Sequence, residues 1–170
     1  MDQRTYEHLE KIKKDLRDEI KKRIDQRDKY SIQLTVVIAA LVAIAFSERG
    51  FQKALIAAPL ASIYFTVLIL YSYRVHRLIS KFLREVIEPR LAAGAASDPA
   101  QEWETYYEAN AIPGIRKGFF IAALWVVTLA SIAFLYAMQW RDESFRAVLV
   151  IASVVYVAGC ALIWKHFKEG

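Results

Sequence analysis

The sequence predicts an all-α integral membrane protein: four transmembrane helices in two hairpins, continued by a cytoplasmic stalk of two coiled-coil-like helices. Three observations predict it. Charged and apolar residues separate into blocks, four blocks are apolar and long enough to cross a bilayer, and the charged blocks beside them keep a helical period. Of 170 residues, 56% are apolar and 24% charged, with a net charge of +5. A small water-soluble domain mixes the two kinds along its length. Here residues 1–30 hold ten Lys/Arg and eight Asp/Glu, whereas residues 31–47 hold no charge. Such a chain meets two solvents.

A helix needs about 20 apolar residues to cross the hydrocarbon core, with a lower limit near 17. Residues 31–47, 54–73, 118–140 and 145–164 qualify. The first is short and admits Gln33; the fourth admits Arg146 at its start, where a long side chain reaches outward. Lipid offers exposed amides no partner, so these spans are helices. A water-soluble bundle would carry a polar stripe on each helix, and these do not.

The links at 48–53 and 141–144 are short and make each pair of spans a tight hairpin. Ten Lys/Arg precede the first span, seven lie in 74–117, and Lys165 and Lys168 follow the fourth; Arg49, Lys53, Arg141 and Arg146 fall on the other side. The excess of positive charge predicts cytoplasmic N- and C-termini in an inner (plasma) membrane. Tyr30, Tyr71, Tyr73, Trp140 and Trp164 sit at span ends, where amphipathic rings anchor. Residues 1–30 lack the short apolar core of a cleavable signal.

The first cytoplasmic segment, 1–30, contains neither Gly nor Pro and is rich in helix formers. Glu7/Lys11, Glu10/Lys14, Asp18/Lys22, Glu19/Arg23 and Asp25/Lys29 have the spacing of stabilising helical ion pairs. Leu9, Ile12, Leu16, Ile20 and Ile24 fall on one face. Nothing interrupts the pattern before the first span, which predicts a single helix projecting about 40 Å beyond the bilayer. The second span continues likewise through 74–90, with Val75, Leu78, Ile79, Phe82, Leu83, Val86 and Ile87 on one side, until Pro89 stops it. Antiparallel pairing sets Ile20 and Ile24 against Phe82 and Leu83, and brings Arg17 or Lys21 to Glu85 and Glu88. The apolar stripes exceed what one partner covers, which points to the 90–117 segment or neighbouring subunits. Arg23 and Arg27 lie within the stripe near the membrane, as lipid-phosphate anchors or as the lining of a vestibule in an oligomer.

Residues 91–117 read as a small-residue linker and then a short interfacial helix from Pro99 to Asn110. That helix carries Trp103, Tyr106 and Tyr107 on one side and Glu104 and Glu108 mainly on the other. It rests on the bilayer or stalk, or offers an aromatic and acidic surface to a soluble cytoplasmic protein or a small signalling ligand. The last spans, 118–164, end in the tail 165–170.

The chemistry is mostly one of exclusion. His8, His76 and His166 lie far apart in sequence, without Cys or carboxylate partners at ligand spacing, and no phosphate-binding, zinc or nucleophile motif occurs. The spans hold no buried acid or base to couple transport to an ion. No enzyme, metal or cofactor is expected, and no basic face is dense enough for nucleic acid. Cys160 reads as a small packing residue. Ala39/Ala43, Ala57/Ala61 and Ala133/Ala137 allow close helix approach, within one chain or between copies.

The run KKRIDQRDKYSIQLTVVIAALVAIAF, a charged helix entering a span without a break, followed by a tight turn and a long second span, resembles the SLATT-type membrane effectors of prokaryotic conflict systems. The resemblance covers roughly residues 10–90 and is one of architecture; no functional residue carries over. It implies a pore-forming role triggered by a nucleotide or partner signal, in a family with two spans where this chain has four. The expected protein is thus a homo-oligomeric membrane effector or channel-like protein, gated through its stalk and serving anti-phage defence. The alternatives are a non-conducting scaffold for a soluble cytoplasmic partner and a facilitator of a small uncharged solute, the latter disfavoured by the lack of broken helices.

Overall fold

A computed structural model describes residues 2–47, 51–95 and 115–168, and every element in them is helical. Helix α1 runs unbroken over Gln3–Ser47. A 3₁₀ helix, Phe51–Ile56, leads into α2, Ala57–Phe82. A π turn, Leu83–Ile87, joins α2 to α3, Glu88–Ala95. Helices α4, Ile115–Gln139, and α5, Glu143–Lys168, complete the described chain. Four helical stretches are long and apolar enough to cross a membrane: Gln3–Ser47, Phe51–Gly94, Gly118–Gln139 and Glu143–His166. By length and composition they suggest a membrane protein.

The length of α1 follows from its composition, since no Gly or Pro occurs in it. Asp2 starts it: its Oδ1 accepts the Thr5 amide at 2.6 Å, and that bond lowers the Asp2 carboxyl below its ordinary pKa. Pro59 falls in the first turn of α2, where its missing N–H removes no helical bond.

Pro89 does not stop the second helix, contrary to the expectation from sequence; helix continues to Ala95. A proline ring clashes with the carbonyl four residues back, here that of Glu85. The chain widens before the proline: the Glu88 N–H reaches back to the Leu83 carbonyl, a bond one residue longer than the α pattern. The clash is relieved by a π turn rather than by an end. Residues 91–95, expected to be linker, are therefore helical.

The residues form two compact units, Met1–Arg27 with Tyr71–Pro113, and Asp28–Leu70 with Gly114–Gly170. In the first, Leu9, Ile20, Leu83, Ile87 and Leu91 make a buried core, with Tyr6, Ile12, Leu16, Ile79 and Val86 packed against it. The continued helix uses part of the apolar surplus on α1: Leu9 joins a core that includes Leu91. In the second unit, Ala45, Leu55, Leu135 and Leu149 form the core, flanked by Leu41, Phe134 and Phe145.

Candidate functional site

The first unit holds most of the residues that the sequence singles out. Arg17 lies 3.9 Å from Glu88, whose side chain is fully buried at the π turn. Ile20 and Leu83 meet in the core. The other predicted stalk residues go elsewhere. Lys21 pairs with Asp18 at 3.5 Å, Glu85 sits beside Arg84 and Lys81, and Ile24 and Phe82 are 37% and 43% exposed. Helical register explains the split: Ile20 points at α2, while Ile24 has rotated toward the edge of the same face. Of the predicted helical ion pairs, Glu19 and Arg23 form one, with Arg23 Nε 2.7 Å from Glu19 Oε1.

The two arginines proposed for a vestibule have separate surroundings. Arg23 is tied to Glu19 and to Gln26, and its carbonyl accepts the Ser72 hydroxyl at 3.0 Å. Arg27 is buried, with its guanidinium 4.1 Å from the centre of the Tyr73 ring. His76, half-buried nearby, has no hydrogen-bond partner for Nδ1 among the described residues. Burial first, and the charge of Arg27 second, push its pKa below the ordinary histidine value. Sequence reasoning set His76 aside because it looked for metal and catalytic partners. Its place one turn beyond Ser72 and Tyr73 was the available signal.

Toward the start of α1, the same unit has a groove of about 530 Å³, walled by Leu9, Ile12, Phe82, Val86 and Ile87, with His8 and Arg90 among its lining. Its volume is that of a small-molecule or side-chain site. The aromatic and acidic surface expected at Trp103, Glu104, Tyr106, Tyr107 and Glu108 lies outside the described residues. No group of three or more His, Cys, Asp and Glu able to hold a metal occurs among the described residues.

The second unit contains a polar latch that the sequence did not reveal. Asp142 caps α5, its Oδ1 accepting the amides of Ser144 and Phe145 and the Ser144 hydroxyl. Its Oδ2 takes Lys53 Nζ at 2.5 Å, and Gln139 donates to Gln52 at 2.8 Å beside it. The bonds from Lys53 and Ser144 hold the Asp142 carboxyl well below the ordinary carboxylate range. The capping spacing of Asp142 and Ser144 is readable in sequence; the identity of Lys53 as partner is not. Deeper in this unit, Thr128 Oγ1 and Cys160 Sγ lie 3.5 Å apart, and the Tyr156 hydroxyl donates to the Ile56 carbonyl at 2.9 Å.

Comparison with protein-family models, with curated proteins and with solved structures gave no match.

Proposed function

We propose that the chain is an oligomeric integral membrane effector or channel-like protein, not an enzyme, gated or recruited through cytoplasmic helices and acting in anti-phage defence by membrane disruption. In this reading both termini are cytoplasmic and the spans form two hairpins. The observation that carries it is the exposure of α1. Only 6% of its apolar window is buried within the chain. Along the uncovered side, Gln33, Val36, Ala40, Ala43 and Ser47 recur at spacings of three and four and are all exposed. Small and polar residues let helices approach closely and bond across their interface. A carboxamide such as Gln33 is costly against hydrocarbon and is satisfied by a neighbouring copy or a water-filled lumen.

The test is dye release from liposomes carrying the purified chain at high density, beside a mass measurement in detergent. Release from an oligomer is expected, weakened by Gln33→Leu. Retained dye with a monomeric mass defeats the proposal.

The groove in the first unit favours a second reading, a scaffold that captures a soluble partner there. Deleting residues 1–27 separates the two readings: a scaffold loses its partner in a pull-down, whereas a pore that opens without the stalk still leaks.

A further inference from the structure

In the first unit, the outward face of α2 carries Tyr71, Arg74, Leu78, Lys81 and Phe82 at spacings of three and four. All are exposed, Leu78 at 68% and Phe82 at 43%. Phe82 lies nine residues past Tyr73, about 14 Å along the helix. With Arg74, Arg77, Lys81 and Arg84 interspersed, this part of α2 stands in the aqueous layer, so lipid tails do not cover its apolar residues. An apolar stripe left in water marks a protein contact.

The charges choose the partner. Two α2 helices packed face to face in the same membrane would set Arg74 against Arg74 and Lys81 against Lys81, which repel. The stripe needs a surface with an exposed apolar residue and an unpaired acid beside it. The same unit offers one on α1: Ile24 is 37% exposed, and Asp25 next to it is exposed and makes no ion pair among the described residues. Arg74 likewise has none. Height agrees as well. Arg27 over Tyr73, Arg17 beside Glu88 and the Ser72 hydroxyl on the Arg23 carbonyl set the register of α1 against α2, and by it Ile24 and Asp25 stand at about the height of the Arg74–Leu78 turn. Copies standing side by side in one membrane keep their heights.

We infer that neighbouring copies of this chain join through a heterologous contact, the Arg74, Leu78 and Phe82 stripe of one copy on the Ile24 and Asp25 edge of the next. The inference rests on the oligomeric reading above and adds its geometry: a head-to-tail contact closes into a ring when its rotation divides a full turn, whereas an isologous one stops at a dimer.

The experiment co-expresses two differently tagged full-length chains and oxidises the membranes. One carries Ile24→Cys and the other Leu78→Cys; the native Cys160 is fully buried and serves as the background control. A mixed-tag disulfide is expected from that pair, and none from two Leu78→Cys chains. Arg74→Glu in the Leu78→Cys chain should cut the product severalfold, and Asp25→Arg in the other chain should restore it, which a merely misfolded variant cannot do. A strong product from two Leu78→Cys chains, or no product from the mixed pair, overturns the inference. Dye release scored on the same membranes is independent: leakage without the mixed product removes this contact and leaves the channel reading, and the mixed product without leakage does the reverse.

Discussion

The two units differ in what they expose more than in what they bury. In the first, most exposed residues are charged, the stripe of Leu78 and Phe82 apart, and the core is Leu9, Ile20, Leu83, Ile87 and Leu91. In the second, Val36, Val126, Ile151, Val154 and Leu162 are exposed, while Ser62, Thr66 and Thr128 are buried beside Ile69, Leu124, Leu135 and Leu149. In the membrane reading proposed above, the difference is one of solvent. In water, removing apolar surface drives packing, so Leu and Ile go inside. In lipid that force is absent between helices, and hydrogen bonds and close contact do the joining. The bonds of Tyr156 to the Ile56 carbonyl and of Thr128 with Cys160 belong to the second regime.

The contrast can be broken most forcefully in the first core. Leu83→Ala should cost about 2–5 kcal/mol, because Leu83 is fully buried and its removal leaves a cavity in a water-driven core. Denaturant titration in detergent, read by hydrogen exchange at α1 and α3 amides, measures it. A loss under 1 kcal/mol would show that this core contributes little.

Next in size is the acid limb of the second unit. The folded Asp142 carboxyl is depressed below its unfolded value of 3.8, so its contribution is present above that value and lost as pH falls through the folded one. Melting temperature in detergent should therefore hold through mild acid. Lys53→Gln should lower it at neutral pH and shift the acid decline upward toward the ordinary carboxylate range. An unchanged acid limb in that variant removes the latch from the account.

His76 gives the first unit a pH dependence at a higher range. Its folded pKa is depressed, so below about 6.5 the unfolded chain takes up the proton first and stability falls with pH. The groups near it are Arg27, Tyr73 and Arg77. His76→Asn should flatten melting temperature between pH 7 and 5; persistence of the slope would assign it to another group.

The smallest effect is expected for Thr128→Val, which deletes the bond to Cys160 while keeping shape. It should cost about 0.6 kcal/mol, the scale of interhelical bonds in membranes. A cost several times larger would mean that polar bonds contribute as much to the second unit as apolar burial does to the first.

Much of the architecture was legible in the sequence because it rests on local rules. The absence of Gly and Pro from 3–47 is enough to predict α1 to within a residue of Ser47. The antiparallel register that brought Arg17 to Glu88 followed from matching two apolar stripes. Pro89 misled for an identifiable reason: the rule that proline ends a helix assumes α geometry ahead of it, and the π turn at Leu83–Ile87 removes that assumption. Of the predicted site residues, Arg17, Ile20, Leu83 and Glu88 are brought together, and Lys21, Ile24, Phe82 and Glu85 are not. An alternation rule names a face but leaves its edges open by a turn.

What the amino-acid order determined alone is the separation of charged from apolar blocks and the helical state of each part, since hydropathy and propensity act over a few neighbours. What tertiary structure decided is which polar groups find each other across many residues: Lys53 with Asp142, Gln52 with Gln139, Ser72 with the Arg23 carbonyl. Those pairings depend on the rotation and height of each helix against its neighbour, and 3.6-residue periodicity carries no information about either until the helices pack.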